Sequence, residues 1–168
     1  MRSKILLSVA PAVLALALRA AFGRFATGVT VVTAASERGP VGITANSFAS
    51  VSLEPPLLLW CPAKLSRRHD AFVTAKHFAL HVMGTAQDAL IWGFANTAEA
   101  FEHSDWELSE HGVPLIAGCP ARFECTTRDR LDAGDHTVLI GQIDRVTTEA
   151  DAEVRVFLDS DYGHFVAS

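Results

Sequence analysis

The sequence has few cysteines and few charged residues, and both shortages narrow the classes of protein to which it can belong. Its three cysteines among 168 residues are an odd number without C-x-x-C spacing, which favours free thiols in a reducing cytoplasm. Only 20% of the residues are charged, and the net charge is −5. No basic tail is present, so we do not expect nucleic acid as a partner. The 49% of hydrophobic residues would suit a chain that hides extra surface in a subunit interface.

Several functional motifs are also missing. There is no G-x-G-x-x-G, so a nicotinamide cofactor would not be held in the usual dinucleotide fold. There is no G-x-S-x-G and no Ser–His–Asp order, so covalent hydrolysis has no support. His77 and His81 are four residues apart on an expected strand, without a third ligand nearby. We therefore expect no metal site.

The N-terminus allows two interpretations. Two basic residues precede an apolar run over residues 5–18, and residues 15–17 have a small-x-small pattern, as in a secretory signal. The same run continues one helical face up to Gly28, formed by Leu14, Leu18, Phe22 and Phe25. It is shorter than the roughly 18 residues that a membrane span requires. We expect residues 1–18 to belong to an opening helix of a cytoplasmic protein without a membrane span; the alternative is a signal peptide.

Alternation with a two-residue period predicts many strands and few helices. The expected strands cover residues 29–35, 41–53, 57–60, 78–83, 121–128, 137–147 and 154–158. Short helices are expected from Ser66, a possible cap, to about Thr74, and after a possible capping box at Thr85 and Asp88. No βαβ order, repeat or linker divides the chain. We predict one domain over residues 1–168: mainly β (α+β), an antiparallel barrel with an N-terminal helix and two or three short helices packed on it.

The expected strand over residues 41–53 has an unusual polar face. Thr44, Asn46, Ser50 and Ser52 alternate with small apolar residues, where a face in water would more often carry charges. Short uncharged donors suit a surface on which a flat polar ligand lies. An ordinary barrel strand with a Ser/Thr-rich outer face remains the alternative.

Four segments of the chain, residues 25–33, 42–56, 134–141 and 162–165, resemble the flavin reductase family. The resemblance runs from about Arg19 to the end of the chain. It implies a split β-barrel, usually a homodimer. It also implies an NAD(P)H:flavin oxidoreductase that transfers hydride from NADH or NADPH to FMN or FAD. Such enzymes supply reduced flavin, as a diffusible molecule, to a separate flavin-dependent oxygenase of a two-component monooxygenase.

The resemblance also implies which residues contact the flavin. These are Thr44, Ala45, Asn46, Ser47, Ser50, Val51 and Ser52 at the ring, Cys61, Lys64, Ser66 and Arg67 on a phosphate loop, and Phe94 and Ala95 beside the ring. By its spacing alone, Phe94 is a core residue. The family more often has a second small polar residue where this chain has Arg67 or Arg68, and an arginine where it has Gly93. The choice between FMN and FAD therefore stays open.

The nicotinamide site is expected at a hairpin. Residues 134–136 lie between two long strands, and a histidine there is ordinarily a surface residue. In the family the equivalent histidine contacts the nicotinamide, which makes His136 the candidate catalytic residue. Asp135 could fix its tautomer, and Tyr162 could stack on a cofactor base. Two alternatives keep the fold: a flavoprotein with tightly bound flavin acting on an organic substrate, and a non-catalytic flavin- or haem-binding module.

Overall fold

A computed structural model describes residues 11–166 of the protein. Helix α1, Pro11–Gly23, opens this part of the chain, and residues 1–10 of the expected opening segment lie outside it. The side chains of the expected apolar face are largely exposed: Leu14, Leu18, Phe22 and Phe25. None of the helices within residues 11–166 is long and apolar enough to cross a membrane.

The described residues form two further α-helices and twelve strands. The strands are β1 Thr27–Gly28, β2 Thr30–Ser36, β3 Gly39–Ala45, β4 Ala49–Leu53, β5 Pro56–Trp60, β6 His77–Val82, β7 Trp106–Leu108, β8 Pro114–Ile116, β9 Ala121–Ala133, β10 His136–Thr148, β11 Arg155–Leu158 and β12 Asp161–His164. The helices are α2 His69–Thr74 and α3 Asp88–Asn96, with 3₁₀ turns at Thr85–Gln87 and Ala100–His103. The mainly β fold with short helices is confirmed.

Seven strands form one antiparallel sheet in the order β3-β2-β6-β9-β10-β5-β4. β3 and β4 follow each other in sequence but lie at opposite edges, joined by residues 46–48. From the Cα atom of Ala45 to that of Ala49 the chain advances four residues, and four residues of extended chain reach about 14 Å at most. The two edges must therefore approach each other, and the sheet curls into a barrel whose seam lacks hydrogen bonds in the described residues. β1, β11 and β12 form a separate small sheet, and β7 pairs with β8.

The expected continuous strand over residues 41–53 is wrong. β3 ends at Ala45, opposite Thr30 at the start of β2, whose hydroxyl donates to the Ala45 carbonyl at 2.7 Å. The chain then crosses to β4, where Val51 and Leu53 are 46% and 95% exposed. In the sequence, apolar residues still occupy the odd positions 49, 51 and 53 of β4, although the structure exposes them. The sequence pattern therefore shows no break where the strand changes edges.

The helix starts also differ from the expectation. α2 begins at His69, because Ser66 forms a turn before it: its hydroxyl accepts from the Arg68 amide at 3.2 Å and its carbonyl from the His69 amide at 3.0 Å. The expected capping box at Thr85 is replaced by a 3₁₀ turn, in which the Gly84 amide donates to the Gln87 side chain at 2.9 Å. The strands expected at 29–35, 57–60, 78–83, 137–147 and 154–158 agree with the structure to within one residue, and β9 is longer than expected.

β2 is buried on both faces and separates two apolar clusters. Val31 belongs to a cluster with Phe94 of α3, and Val32 to one with Trp60 and Phe72. α3 thus packs on the outer face of the sheet, beside the end of β3.

His81 lies on β6 with its side chain completely buried. The Ile116 amide can only donate, so Nε2 of His81 accepts from it at 3.1 Å, while Nδ1 carries the proton and donates to the Val31 carbonyl at 3.0 Å. Burial lowers the pKa of His81 to about 4. A second proton has no acceptor here, so the folded chain keeps this ring neutral.

Gly93 has no room for a side chain. A Cβ atom there would lie 2.6 Å from Cβ of Ala100 and 3.1 Å from the His103 ring, because α3 packs closely on the 3₁₀ turn at Ala100–His103. This close packing requires glycine at position 93.

We predict that His81 weakens the fold in acid. Between the unfolded pKa of 6.5 and the folded pKa of about 4, the unfolded chain binds a proton that the folded chain refuses. The free energy of unfolding should therefore fall by about 2 kcal/mol from pH 7 to pH 5 on this account. In urea titrations at both pH values, His81→Gln should lose most of this difference, because glutamine keeps a donor and an acceptor without titrating. His164→Gln, at an exposed position, should retain it; an unchanged acid loss in His81→Gln would contradict the assignment.

Gly93→Ala should lower stability, although alanine normally favours a helix by about 1 kcal/mol. The overlap with Ala100 should outweigh that gain and leave a net loss of about 1 kcal/mol or more. Gly28→Ala is the matched control, because a Cβ atom there meets nothing within 4 Å. Thermal or urea unfolding of the two variants decides; equal stability for Gly93→Ala and the parent chain would refute the close packing.

Candidate functional site

The end of β3 separates two cavities. Residues 44–46 line a first cavity of about 230 Å³ together with α3 and the small sheet, and a second cavity of about 190 Å³ together with residues 60–63 and the hairpin between β9 and β10. The segment is fixed at Thr44, whose hydroxyl donates to the Ile91 carbonyl of α3 at 2.7 Å. The Asn46 side chain is exposed and makes no hydrogen bond within residues 11–166. Asn46 therefore offers both a donor and an acceptor to a ligand.

The first cavity has aromatic walls. Tyr162 and Phe157 come from the small sheet and Ala95 from α3. The Tyr162 ring is held edge-on by Trp92 at 5.1 Å and packs on Phe157 at 5.3 Å. Burial, and then the nearby Asp88 carboxylate, raise the pKa of Tyr162, so its hydroxyl stays protonated at neutral pH. The cavity therefore has flat apolar walls with polar groups at its rim.

The small sheet is tied to α3 by an ion pair. Nε of Arg155 donates to the Asp88 carboxylate at 2.9 Å, a second nitrogen donates to the same carboxylate, and that nitrogen also donates to the Thr85 carbonyl at 3.1 Å. Arg155 begins β11, which carries Phe157. The pair thus links the strand that carries one wall of the first cavity to the helix that carries another.

The second cavity brings His136 to the end of β3. Residues 62–64 pair with residues 135–137: the Lys64 amide donates to the Asp135 carbonyl at 2.8 Å and the Thr137 amide to the Pro62 carbonyl at 3.1 Å. Nδ1 of His136 donates to the Asp135 carboxylate at 2.8 Å, which lowers the pKa of that carboxyl. Nε2 of His136 makes no hydrogen bond to any described residue, so it can contact a ligand in the cavity.

Ser47 and Cys61 connect the end of β3 to the loop. The Ser47 hydroxyl accepts from the Cys61 amide at 3.0 Å and donates to the Cys61 carbonyl at 3.3 Å. The Ser47 side chain is therefore engaged by the loop backbone. Burial raises the pKa of the Cys61 thiol, which favours its protonated form at neutral pH.

The cations of the loop differ in availability. Nζ of Lys64 lies 2.7 Å from the Asp132 carboxylate and is ion-paired. Arg67 is exposed and makes no hydrogen bond or ion pair within the described part of the chain. It borders a third cavity of about 420 Å³ with Ser66, Arg68 and the end of α3. Of the two cations predicted from the sequence, Arg67 is thus free for an anion.

Some of the residues predicted from the sequence line the two cavities at the end of β3, and others do not. Those that line the two cavities at the end of β3 are Thr44, Ala45, Asn46, Ser47, Cys61, Ala95, His136 and Tyr162. The Phe94 ring is completely buried against Phe101, so it supports α3 from the core. Ser50, Val51 and Ser52 lie on β4 and line neither cavity. Asp135 acts through its hydrogen bond to His136.

Several lining residues were missed from the sequence: Val29, Ile43, Phe157, Trp60, Pro62 and Ala63. Their apolar side chains predict positions in the core or in loops, and only the folding of the chain brings these residues together around the cavities. The described residues contain no group of three or more His, Cys, Asp or Glu side chains arranged to hold a metal ion. The site therefore offers aromatic and aliphatic walls, amide and hydroxyl groups and one free guanidinium. That set suits a planar heterocycle carrying a phosphate.

Comparison with known proteins agrees with this chemistry. A family model described as "Flavin reductase like domain" matches residues 22–165. FMN reductase (NADH) SmoA of Agrobacterium fabrum is 50% identical over 147 residues, which cover 88% of this chain and 84% of that protein. NADH-dependent FAD reductase of Streptomyces globisporus is 42% identical over 132 residues, covering 75% and 72%. The chain spans only 42–56% of three further relatives, among them Stc3, the reductase subunit of stachydrine N-demethylase from Rhizobium meliloti, which is 46% identical.

Solved structures show the same fold. The NADH:FAD oxidoreductase SgcE6 of Streptomyces globisporus superposes with a TM-score of 0.87 at 36% identity, covering 99% of this chain and 96% of that one. BorF, the flavin reductase component of a bacterial two-component tryptophan halogenase, superposes with a TM-score of 0.83 at 31% identity, covering 92% and 99%. By sequence and by structure, this chain belongs to the flavin reductase family.

Proposed function

We propose that this chain is an NADH-dependent flavin reductase that transfers hydride to FMN or FAD and supplies the reduced flavin to a separate flavin-dependent oxygenase. The observation that carries the proposal is the position of residues 44–46 between two cavities, with Tyr162 beside one and His136 beside the other. A hydride donor and a hydride acceptor need two adjoining sites. We propose NADH as the hydride donor because two of the relatives are reductases named for NADH.

The residues of the site would bind and orient the two rings. When both are bound, hydride passes from nicotinamide C4 to flavin N5, and this transfer requires no proton from a side chain. The protein must hold the rings about 3–3.5 Å apart. Asn46 and the main-chain groups at the end of β3 supply hydrogen bonds to the polar edge of the flavin, and such donors favour the negative charge that reduction creates.

His136 would orient the nicotinamide. Asp135 accepts from Nδ1 and so directs Nε2 toward the ligand. Ser66 and Arg67 would bind the flavin phosphate, because the hydroxyl and the guanidinium can both donate hydrogen bonds to its oxygens. Lys64 would contribute less to phosphate binding, because its ammonium group is ion-paired with Asp132.

The same proposal includes the assembly and the delivery of flavin. Exposed apolar side chains on α1 and β4, among them Phe22 at 71% and Leu53 at 95%, support a homodimer, since a second copy could cover them. Two small, open cavities support loose binding and release of flavin by diffusion. A cytoplasmic location follows from the need for NADH.

The experiment that tests this function is an aerobic assay with the purified chain. NADH absorbance is followed after addition of FMN, FAD or riboflavin, and then with NADPH in place of NADH. We expect rapid oxidation that depends on added flavin, in a preparation that is colourless before the addition. A yellow preparation inactive with free flavin would point to a flavoprotein with its own substrate. Flavin binding without oxidation of either nicotinamide would point to a binding module.

We predict that His136→Ala lowers kcat/KM for NADH about 10- to 100-fold, because the nicotinamide loses its orienting contact. The dissociation constant for FMN should change less than about twofold, since the flavin contacts lie at the end of β3. Steady-state kinetics and fluorescence titration measure the two effects separately. His111→Ala is the control, because His111 is exposed and lines neither of the two cavities at the end of β3. Unchanged kinetics with NADH and NADPH would remove His136 from the site.

A further inference from the structure

Arg68 makes an unusual set of contacts. Its Nη1 lies within hydrogen-bond distance of three main-chain carbonyl oxygens: Phe94 at 2.6 Å, Thr97 at 2.8 Å and Gly42 at 3.1 Å. It has no carboxylate partner within the described residues. The side chain is half-buried, and this burial lowers its pKa. A cation held only by carbonyls has a structural role here, since the Phe94 and Thr97 carbonyls lie at the end of α3, where no further helical turn supplies donors.

The contacts of Arg68 join three segments of the flavin site. Gly42 lies two residues before Thr44 on β3, and Phe94 is the neighbour of Ala95 on α3. The Arg68 amide itself donates to the Ser66 hydroxyl at 3.2 Å, which fixes the loop that carries Arg67. The guanidinium therefore lies where the ring-binding strand, the adjoining helix and the phosphate loop meet. A second link between β3 and the chain after α3 is the Gly42 amide, which donates to the Ala98 carbonyl at 3.0 Å.

Arg67, the adjacent residue, has none of these contacts. Its side chain is exposed and borders the cavity of about 420 Å³ beside Ser66. The two adjacent arginines thus differ in kind, although the sequence presents them as one basic pair. One is free to meet a phosphate, and the other is engaged in holding the backbone.

We propose that Arg68 is a positioning residue of the flavin site, which sets affinity for the isoalloxazine ring by holding the end of β3 against α3 and the phosphate loop. This proposal rests on the flavin site of the proposed function. It distinguishes Arg68 from a phosphate ligand, because a positioning residue affects every flavin alike, whereas a phosphate ligand does not affect riboflavin, which lacks the phosphate.

The test compares FMN with riboflavin in the full chain by equilibrium quenching of flavin fluorescence, without NADH. Arg68→Ala should raise both dissociation constants by the same factor, about tenfold or more, because three carbonyls lose their donor. Arg68→Lys should raise both by a smaller common factor, since an ammonium supplies fewer directed donors. Arg67→Ala should weaken FMN and not riboflavin. Arg145→Ala, on the far part of β10, should change neither.

Two results would overturn the assignment. If Arg68→Ala weakens FMN and leaves riboflavin unchanged, Arg68 is a phosphate ligand. If the melting temperature falls while both dissociation constants stay at the parent value, its role is confined to stability. Where Arg68→Ala does not fold, Arg68→Lys decides by the same comparison. If the parent chain does not oxidise NADH with any flavin, the reductase function is rejected, but the flavin-binding comparison still stands. A failure of the proposed function is therefore distinguishable from a failure of the role proposed for Arg68.

Discussion

The site depends on one constraint: the end of β3 must be held against α3. Residues 44–46 form the wall between two cavities, and a wall that moved would merge or close them. The Thr44 hydroxyl, the Gly42 amide and the Arg68 guanidinium all bind main-chain groups of α3 or of the residues just after it. β2 makes this possible, because burial on both faces lets it carry α3 on its outer side while the barrel core fills the inner side.

Much of the fold could be predicted from the sequence. Long strands such as β10 are specified by their own residues, apolar on both faces at first and amphipathic later, and the hairpin at Gly134 by a residue that reaches a positive φ of 68°. His136 could be placed for the same reason, since a hairpin tip fixes the position of its residues locally. The break between β3 and β4 could not, because apolar residues occupy the odd positions of both strands in the sequence.

The remaining part of the site depends on contacts distant in sequence. Phe157 faces residues 44–46 because the small sheet is held in place by the ion pair of Arg155 with Asp88 and by main-chain bonds of Arg155 to Val29 and Met83. The different roles of Arg67 and Arg68 follow from which carbonyls the fold brings near them, and adjacent identical residues carry no such information. The lack of a side chain at Gly93 follows in the same way from a distant contact, the close packing of α3 on the 3₁₀ turn at Ala100–His103.

The most direct test of the account is a crystal structure of the chain with FMN. We predict that the isoalloxazine ring lies against residues 44–46 and that the phosphate lies at Ser66 and Arg67. A ring bound elsewhere, for example in the cavity beside the stacked rings of His77 and His111, would contradict it.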